Sequence, residues 1–230
     1  MKIKSKARVA NERETVIRLL DAAERLFGEH GYDGVGMRAL AEEAGVNLGA
    51  ATYHFGSKEA LYVETFMRRF RLADAERKRL LQEADAEANG QPLKVEKIVD
   101  CMMRPLFMLG LEHPAFHTLA MRNLFVPPPF IHKVFHKELE PNRLIFLAAL
   151  RRALPRLPSD LVQLREMFLM GAQLAFSMHA NKLQSSRNVK LSESILKEMV
   201  RYVSAGLQSD PAGPAANRPF FPHLLKSSRG

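Results

Sequence analysis

Apolar residues in the first thirty positions return every third or fourth place. In "ETVIRLLDAAERLFGEHGY", Val16, Leu19, Leu20, Ala23, Leu26 and Phe27 fall on one side of a helix. The pattern predicts an amphipathic helix that stops at Gly31, the residue type that most readily takes a left-handed cap. "MRALAEEAG" predicts a short second helix ending at Gly45. The next stretch, "GVNLGAATYHFGS", follows neither pattern. It carries no Lys, Arg, Asp or Glu, and Asn47, Thr52, Tyr53 and His54 interrupt any apolar stripe. Ser57 reads as the N-cap of a fourth helix, which holds Leu61, Val63, Phe66 and Phe70 and runs to about residue 85.

Strand-like alternation is absent between Glu12 and Gln208, which predicts an all-α fold. Asn89, Gly90 and Pro92 form a break, and a domain boundary is expected near it. Further helices are expected at about 93–111, 114–125, 129–139, 141–154, 159–182 and 192–208. Pro114, Pro129, Pro141 and Pro158 fall at expected first turns, where a missing N–H costs nothing. Residues 209–230 are Pro/Gly-rich, the composition of a disordered tail.

Charge sharpens the question raised by the neutral stretch. The 230-residue chain carries a formal net charge of +9, which favours a polyanionic partner. Its one cysteine, Cys101, excludes an internal disulfide framework and suits a reducing cytoplasm. The charged N-terminus lacks the apolar segment of a signal peptide. No apolar run approaches the roughly 20 residues that span a bilayer, so a soluble intracellular protein is expected.

Two short helices joined by a glycine turn make a helix-turn-helix when their facing positions are small or aliphatic. Leu40, Ala41, Ala44, Val46 and Ala51 meet that demand, and Gly45 permits the turn. The neutral helix is then one that enters a DNA groove with its N-terminal end leading. Gly49 and Ala50 let the backbone come close, Asn47 can cap and donate, and Tyr53 and His54 reach flanking phosphates. Charge comes from the borders: Arg38, Lys58, and an arm over residues 1–11 with Lys2, Lys4, Lys6 and Arg8.

These residues carry a resemblance. "AAERLFGEHGYDGVGMRALAEEAGVNLGAATYHFGSKEALY" resembles the DNA-binding domain of TetR-type transcriptional regulators in order and spacing. The resemblance implies a helix-turn-helix domain over residues 12–62, followed by a larger helical effector-binding and dimerisation domain over 63–208, with a connecting helix at about 57–85. "HPAFHTLAMRNLFVPPPF" is faintly similar to the CecR-like subgroup. The DNA-contacting positions implied are Arg38, Asn47, Leu48, Gly49, Ala50, Thr52, Tyr53, His54 and Lys58. Three positions depart from the family pattern. Gly36 stands where Thr or Ser often caps the second helix, Leu48 where a basic residue is frequent, and Ala51-Thr52 where a Leu-Tyr pair is common.

The second half is rich in Met and Phe, side chains that line adaptable apolar pockets as well as cores. Met102, Met103, Phe107, Met108, Met121, Phe125, Phe168 and Phe176 are the expected apolar lining of an effector site. Arg122, Gln173 and His179 are its expected polar groups. For a dimer interface, Gly171 and Ala175 allow close helix contact, and Ile195, Met199, Val203 and Leu207 supply an apolar stripe. That stripe would equally serve packing within one chain.

The expected function is a ligand-released repressor, cytoplasmic and homodimeric, that binds a double-stranded DNA operator and a small apolar or aromatic effector. It needs no cofactor, metal or membrane and is not an enzyme. Two alternatives come from other classes. His132, His136 and Glu140 recur at four-residue spacing and could hold a metal in a helical enzyme, although a packed or solvated face is the commoner use of such spacing. The basic arm and "RRFRLADAERKRLL" could instead serve a membrane-associated module.

Overall fold

The computed structural model describes residues 2–184 and 189–211, with side chains described for residues 10–123, 125–134, 136–175 and 191–211. The described chain is helical: α1 (Lys2–His30), α2 (Met37–Glu43), α3 (Leu48–Phe55), α4 (Lys58–Glu87), α5 (Val95–Glu112), α6 (Pro114–Phe125), α7 (Ile131–Val134), α8 (Glu140–Ala153), α9 (Ser159–Gln184) and α10 (Val189–Gln208). A π-helical turn, Phe135–Leu139, separates α7 from α8. The expected basic arm is thus the first part of α1, which starts at Lys2. Pro114 and Pro141 occupy the first turns of α6 and α8, while Pro105 lies inside α5. The expected tail from residue 212 onward lies outside the described residues.

The chain forms two compact units, Met1–Leu72 with Gly110–His136, and Ala73–Leu109 with Lys137–Gly230. The sequence pattern suggested a boundary near residue 62 or at the break around Asn89. Asn89 (φ 50°) and Gly90 (φ 83°) end α4 within the second unit, and α6 belongs to the first.

The first unit is built on α1. Leu19, Ala22, Ala23 and Phe27 are buried, as are Leu61, Tyr62 and Phe66 of α4 and Phe116 and Leu119 of α6. The α6 helix approaches α1 so closely at Gly28 that a Cβ there would lie 3.2 Å from the Ala115 carbonyl oxygen. Phe27 and Tyr62 meet edge-to-face at 4.8 Å, and Phe70 meets Phe116 at 5.5 Å. Tyr62 donates its hydroxyl to Asn123 Oδ1 at 2.7 Å. Inside this unit Glu24 is buried and held by Arg68 (2.6 Å) and Arg69 (3.1 Å). Pairing of this kind is what makes a buried charge tolerable.

The second unit packs Val95, Ile98, Val99 and Met103 of α5, Phe146, Leu147 and Leu150 of α8, and Val162 and Leu169 of α9. From α10 it buries Leu196, Val200, Val203 and Leu207. Pro105 withholds an N–H from α5, which leaves the Cys101 carbonyl without its helical donor. Arg77 Nε donates to the Met102 carbonyl at 2.7 Å, and Gln173 Nε2 donates to the Met103 carbonyl at 3.2 Å. Arg77 is paired with Asp74 at 3.0 Å, and Asp74 also accepts from Asn142 Nδ2 at 2.7 Å.

Candidate nucleic-acid interface

The turn between α2 and α3 follows from three residues. Ala44 ends α2, and Gly45 takes the left-handed conformation (φ 64°) that a side chain resists. The Gly45 N–H then reaches the Glu42 carbonyl at 3.0 Å and the Val46 N–H reaches the Ala41 carbonyl at 2.9 Å. This pair of bonds is the Schellman closure of a helix. Asn47 opens α3, accepting from the Ala50 N–H through Oδ1 at 2.6 Å. Ala41, Ala44 and Ala51 pack with Leu19 and Ala22 of α1, flanked by Met37, Val46 and Phe55. Small side chains at these places are what let three helices meet over a single turn.

With Ala51 turned inward, the remaining face of α3 points to solvent. Leu48, Gly49, Thr52 and Tyr53 are exposed, Tyr53 at 76%, while Ala50 and His54 are half-buried. The His54 and Tyr53 rings meet edge-on at 5.2 Å. Arg38 is exposed on α2. At Gly49 an added Cβ would lie 3.2 Å from Asn47 Oδ1, so this glycine keeps the cap unobstructed. Gly36 precedes α2 in extended conformation and makes no side-chain cap, as its departure from the family pattern led us to expect. Ser57 does cap α4, its Oγ accepting from the Ala60 N–H at 3.1 Å.

Lys58, an expected DNA contact, is half-buried beside Tyr32. Its Nζ donates to the Tyr32 carbonyl at 3.1 Å and lies 4.2 Å from the centre of the Tyr32 ring. The ammonium is thus engaged inside the first unit. The arm residues Lys2, Lys4, Lys6 and Arg8 lie on α1, but their side chains are outside the described residues.

The expected effector residues are divided between the two units. Met102, Met103 and Phe107 are buried in the second unit and Met108 is half-buried there. Gln173 joins them through its bond to the Met103 carbonyl. Met121, Arg122 and Phe125 lie on α6 in the first unit. There Arg122 donates to the Gly28 carbonyl at 3.1 Å and the Glu29 carbonyl at 2.8 Å, which caps the C-terminal end of α1. Phe168 is exposed at 64%, and the side chains of Phe176 and His179 lie outside the described residues.

The expected dimer residues all lie in the second unit and differ in burial. Val203 and Leu207 face the interior, so they serve packing within one chain. Ile195 and Met199 are half-buried, and Gly171 and Ala175 are exposed. Outward, α9 and α10 present Phe168 and Tyr202, the latter at 74% exposure, along with Met167, Met170 and Leu191. Phe168 and Tyr202, with Leu161, Leu169 and Leu207, line an open groove of about 610 Å³. Arg165 stands in it and donates to the Leu207 and Ser209 carbonyls, each at 2.7 Å, closing the end of α10. Tyr202 and Arg165 were not singled out from sequence; for Tyr202 its place beside the buried Val203 was the available signal.

The metal alternative finds no assembled site. His132 and His136 are both exposed, and the π turn between Phe135 and Leu139 shifts the register that a continuous α-helix would have given them. Among the described residues no three His, Cys, Asp or Glu side chains form a group able to hold a metal ion. No described helix is long and apolar enough to cross a membrane.

Comparison with known proteins agrees with this geometry. Residues 19–65 match the family of bacterial regulatory proteins, tetR family, and residues 100–206 match the tetracyclin repressor-like C-terminal domain. The chain is 47% identical over 45 residues to the HTH-type transcriptional repressor AcnR of Corynebacterium efficiens, covering 20% of this chain and 24% of AcnR. It is 54% identical over 44 residues to the HTH-type transcriptional regulatory protein RaaS of Mycobacterium tuberculosis, covering 19% of this chain and 20% of RaaS. The match thus spans no more than about a quarter of either relative's length. In fold, the chain is similar to HlyIIR, a hemolysin II transcriptional regulator (TM-score 0.57, 18% identity, 86% of this chain and 99% of that one). It is similar also to a TetR-like regulator from Rhodococcus sp. RHA1 (TM-score 0.59, 18% identity, 85% and 97%).

Proposed function

We propose that this chain, a tetR-family protein by both of its matched segments, is a DNA-binding transcriptional regulator that acts in the cytoplasm as a homodimeric repressor released by a small-molecule effector. The observation that carries the reading is the outward face of α3. A helix whose inward side is Ala51 and whose exposed side is Leu48, Gly49, Thr52 and Tyr53 has no packing role for that exposed side. It fits a major groove, with the N-terminal end leading and the backbone at Gly49 free to approach.

Contacts then divide by chemistry. Arg38 supplies charge to phosphates, and the Tyr53 hydroxyl and the Thr52 hydroxyl are neutral donors to the same groups. Leu48, where related proteins often carry a basic residue, offers an apolar contact that suits a thymine methyl. Lys58 braces the start of α4 against Tyr32 and acts on DNA through that brace.

Two copies would join through the outward face of α9 and α10, with Phe168 and Tyr202 at its centre and Gly171 and Ala175 allowing close approach. Effector binding in the second unit would favour a form that holds DNA weakly. Such coupling is typically 1–3 kcal/mol and is reciprocal, so DNA must weaken effector binding by the same factor.

The test is a duplex titration of the full chain at several salt concentrations. Arg38→Ala should weaken specific and random duplex alike and reduce the salt slope by about one unit. Equal affinity and slope in wild type and variant would remove Arg38 from the interface.

A further inference from the structure

Two arginines are buried among the described residues, Arg77 and Arg165, each 8% exposed. Arg77 has its counterion, Asp74 at 3.0 Å. Arg165 forms no ion pair among the described residues. Its hydrogen bonds go to the backbone carbonyls of Leu207 and Ser209, each at 2.7 Å, and of Asp210 at 3.5 Å, and its Nε donates to none of them. Burial pushes the guanidinium below its usual range, and the exposed Asp210 offsets this only in part. A buried charge is ordinarily paired, so Arg165 lacks the anion that its setting calls for.

Room for that anion lies beside it. Arg165 lines the groove of about 610 Å³ between α9 and the end of α10, a volume in the range of small-molecule sites. Leu161, Arg165, Phe168 and Ala172 recur at intervals of four, three and four, so they run along one side of α9. From Arg165 to Ala172 is a distance of about 10 Å at 1.5 Å per residue. On the α10 side stands Gly206. Glycine inside a helix is less stable than alanine, and a Cβ at Gly206 would meet nothing within 4 Å. Packing therefore does not demand a glycine there, and its effect is to keep that wall of the groove low. The result is a mostly apolar trough with one buried cation toward one end. A planar guanidinium matches a carboxylate in shape as well as charge.

We propose that the groove between α9 and the end of α10 binds a medium-chain aliphatic carboxylate, with the carboxylate held by Arg165 and the chain lying along Phe168 and Ala172 past Gly206. The proposal rests on the reading of the second unit as effector-binding and names the class of effector. Phe168 and Tyr202 belong both to this groove and to the proposed dimer face, so the ligand and a second copy compete for it. The ligand then favours the monomer, which holds DNA through a single half-site.

Calorimetry on the full chain without DNA, over a range of protein concentrations and alongside light scattering, tests it. The probe is octanoate, with 1-octanol and n-octylammonium as matched controls. Octanoate should bind at least tenfold tighter than either control, shift dimer toward monomer, and bind more tightly as the protein is diluted. Arg165→Met, which keeps the stem and removes the charge, should lose at least tenfold for octanoate and leave 1-octanol unchanged. Because Arg165 also closes the end of α10, Gly206→Leu carries the test if that variant does not fold. It fills the trough from a position with open space, so it should stay folded and lose at least tenfold for octanoate. Octanoate binding no tighter than 1-octanol in the wild-type chain at every dilution, a comparison that needs no variant, overturns the proposal and leaves the groove to a second copy. So does undiminished octanoate affinity in either folded variant. Tight octanoate binding that leaves the dimer intact keeps the site and overturns the dimer face at Phe168 and Tyr202 instead.

Discussion

Lys58 and Tyr32 form a clasp: the lysine ammonium donates to the tyrosine carbonyl at 3.1 Å and rests 4.2 Å from the centre of its ring. The pair ties the start of α4 to the segment that follows α1. A cation over an aromatic face contributes about 0.5–1 kcal/mol at a partly exposed site. The hydrogen bond adds about 1 kcal/mol. Lys58→Met should therefore lower stability by about 1–2 kcal/mol in urea unfolding. Because the ammonium is occupied, the salt slope of DNA binding should not change. A slope lowered by a full unit would put Lys58 on a phosphate instead.

Asn47 allows capping and DNA contact to be separated. Asp is as good an N-cap as Asn, and Ala is worse by about 1 kcal/mol. Asn47→Asp should keep wild-type stability, since its oxygen can accept from the Ala50 N–H. It should nevertheless weaken DNA binding at least tenfold, because it sets a negative charge at the end of α3 that leads into the groove. Unimpaired DNA binding by this variant would move the interface away from that end.

Gly36 offers a stabilising change. It sits in extended backbone (φ −98°), contributes no cap, and a Cβ there meets nothing within 4 Å. Gly36→Ser adds a cap and removes glycine's freedom from the unfolded chain, gains of a few tenths to about 1 kcal/mol. Thermal melting of the variant should show a higher midpoint. A lower one would mean that the α2 start differs from that seen here.

The dimer face yields a contrast between neighbours. Tyr202 is 74% exposed and Val203 is 8% exposed. Phe168→Glu with Tyr202→Glu should give a folded monomer by light scattering. Val203→Glu should unfold the second unit, since an unpaired charge at a buried site costs several kcal/mol. A folded dimer in the double variant would rule out this face.

The helix-turn-helix was legible because its geometry admits few residues. Only small side chains fit at Ala41 and Ala51, and the turn favours glycine at 45, so type and spacing together are diagnostic. Elsewhere the helical period shows that a face is buried without showing against what. The helix expected at 114–125 falls in the second half by sequence, yet its Phe116 and Leu119 pack in the first unit, because α6 returns to α1 at Gly28. Val203 and Leu207 read as an interface stripe, yet they fill the interior, leaving Tyr202 outward. His132 and His136 read as one helical face, and a π turn that no local residue announces breaks that register.

Selection of bound DNA from a random duplex pool by the full chain tests the central claim most directly. Two recognition helices related by a dimer axis require two half-sites, so the enriched duplexes should be near-palindromic with half-site centres about 10 base pairs, or a multiple of that, apart. Tyr53→Phe should bind them about 1 kcal/mol more weakly, and random duplex by the same margin. A pool that shows no enrichment, or that converges on a single unrepeated site, would contradict the account of this chain as a dimeric operator-binding regulator.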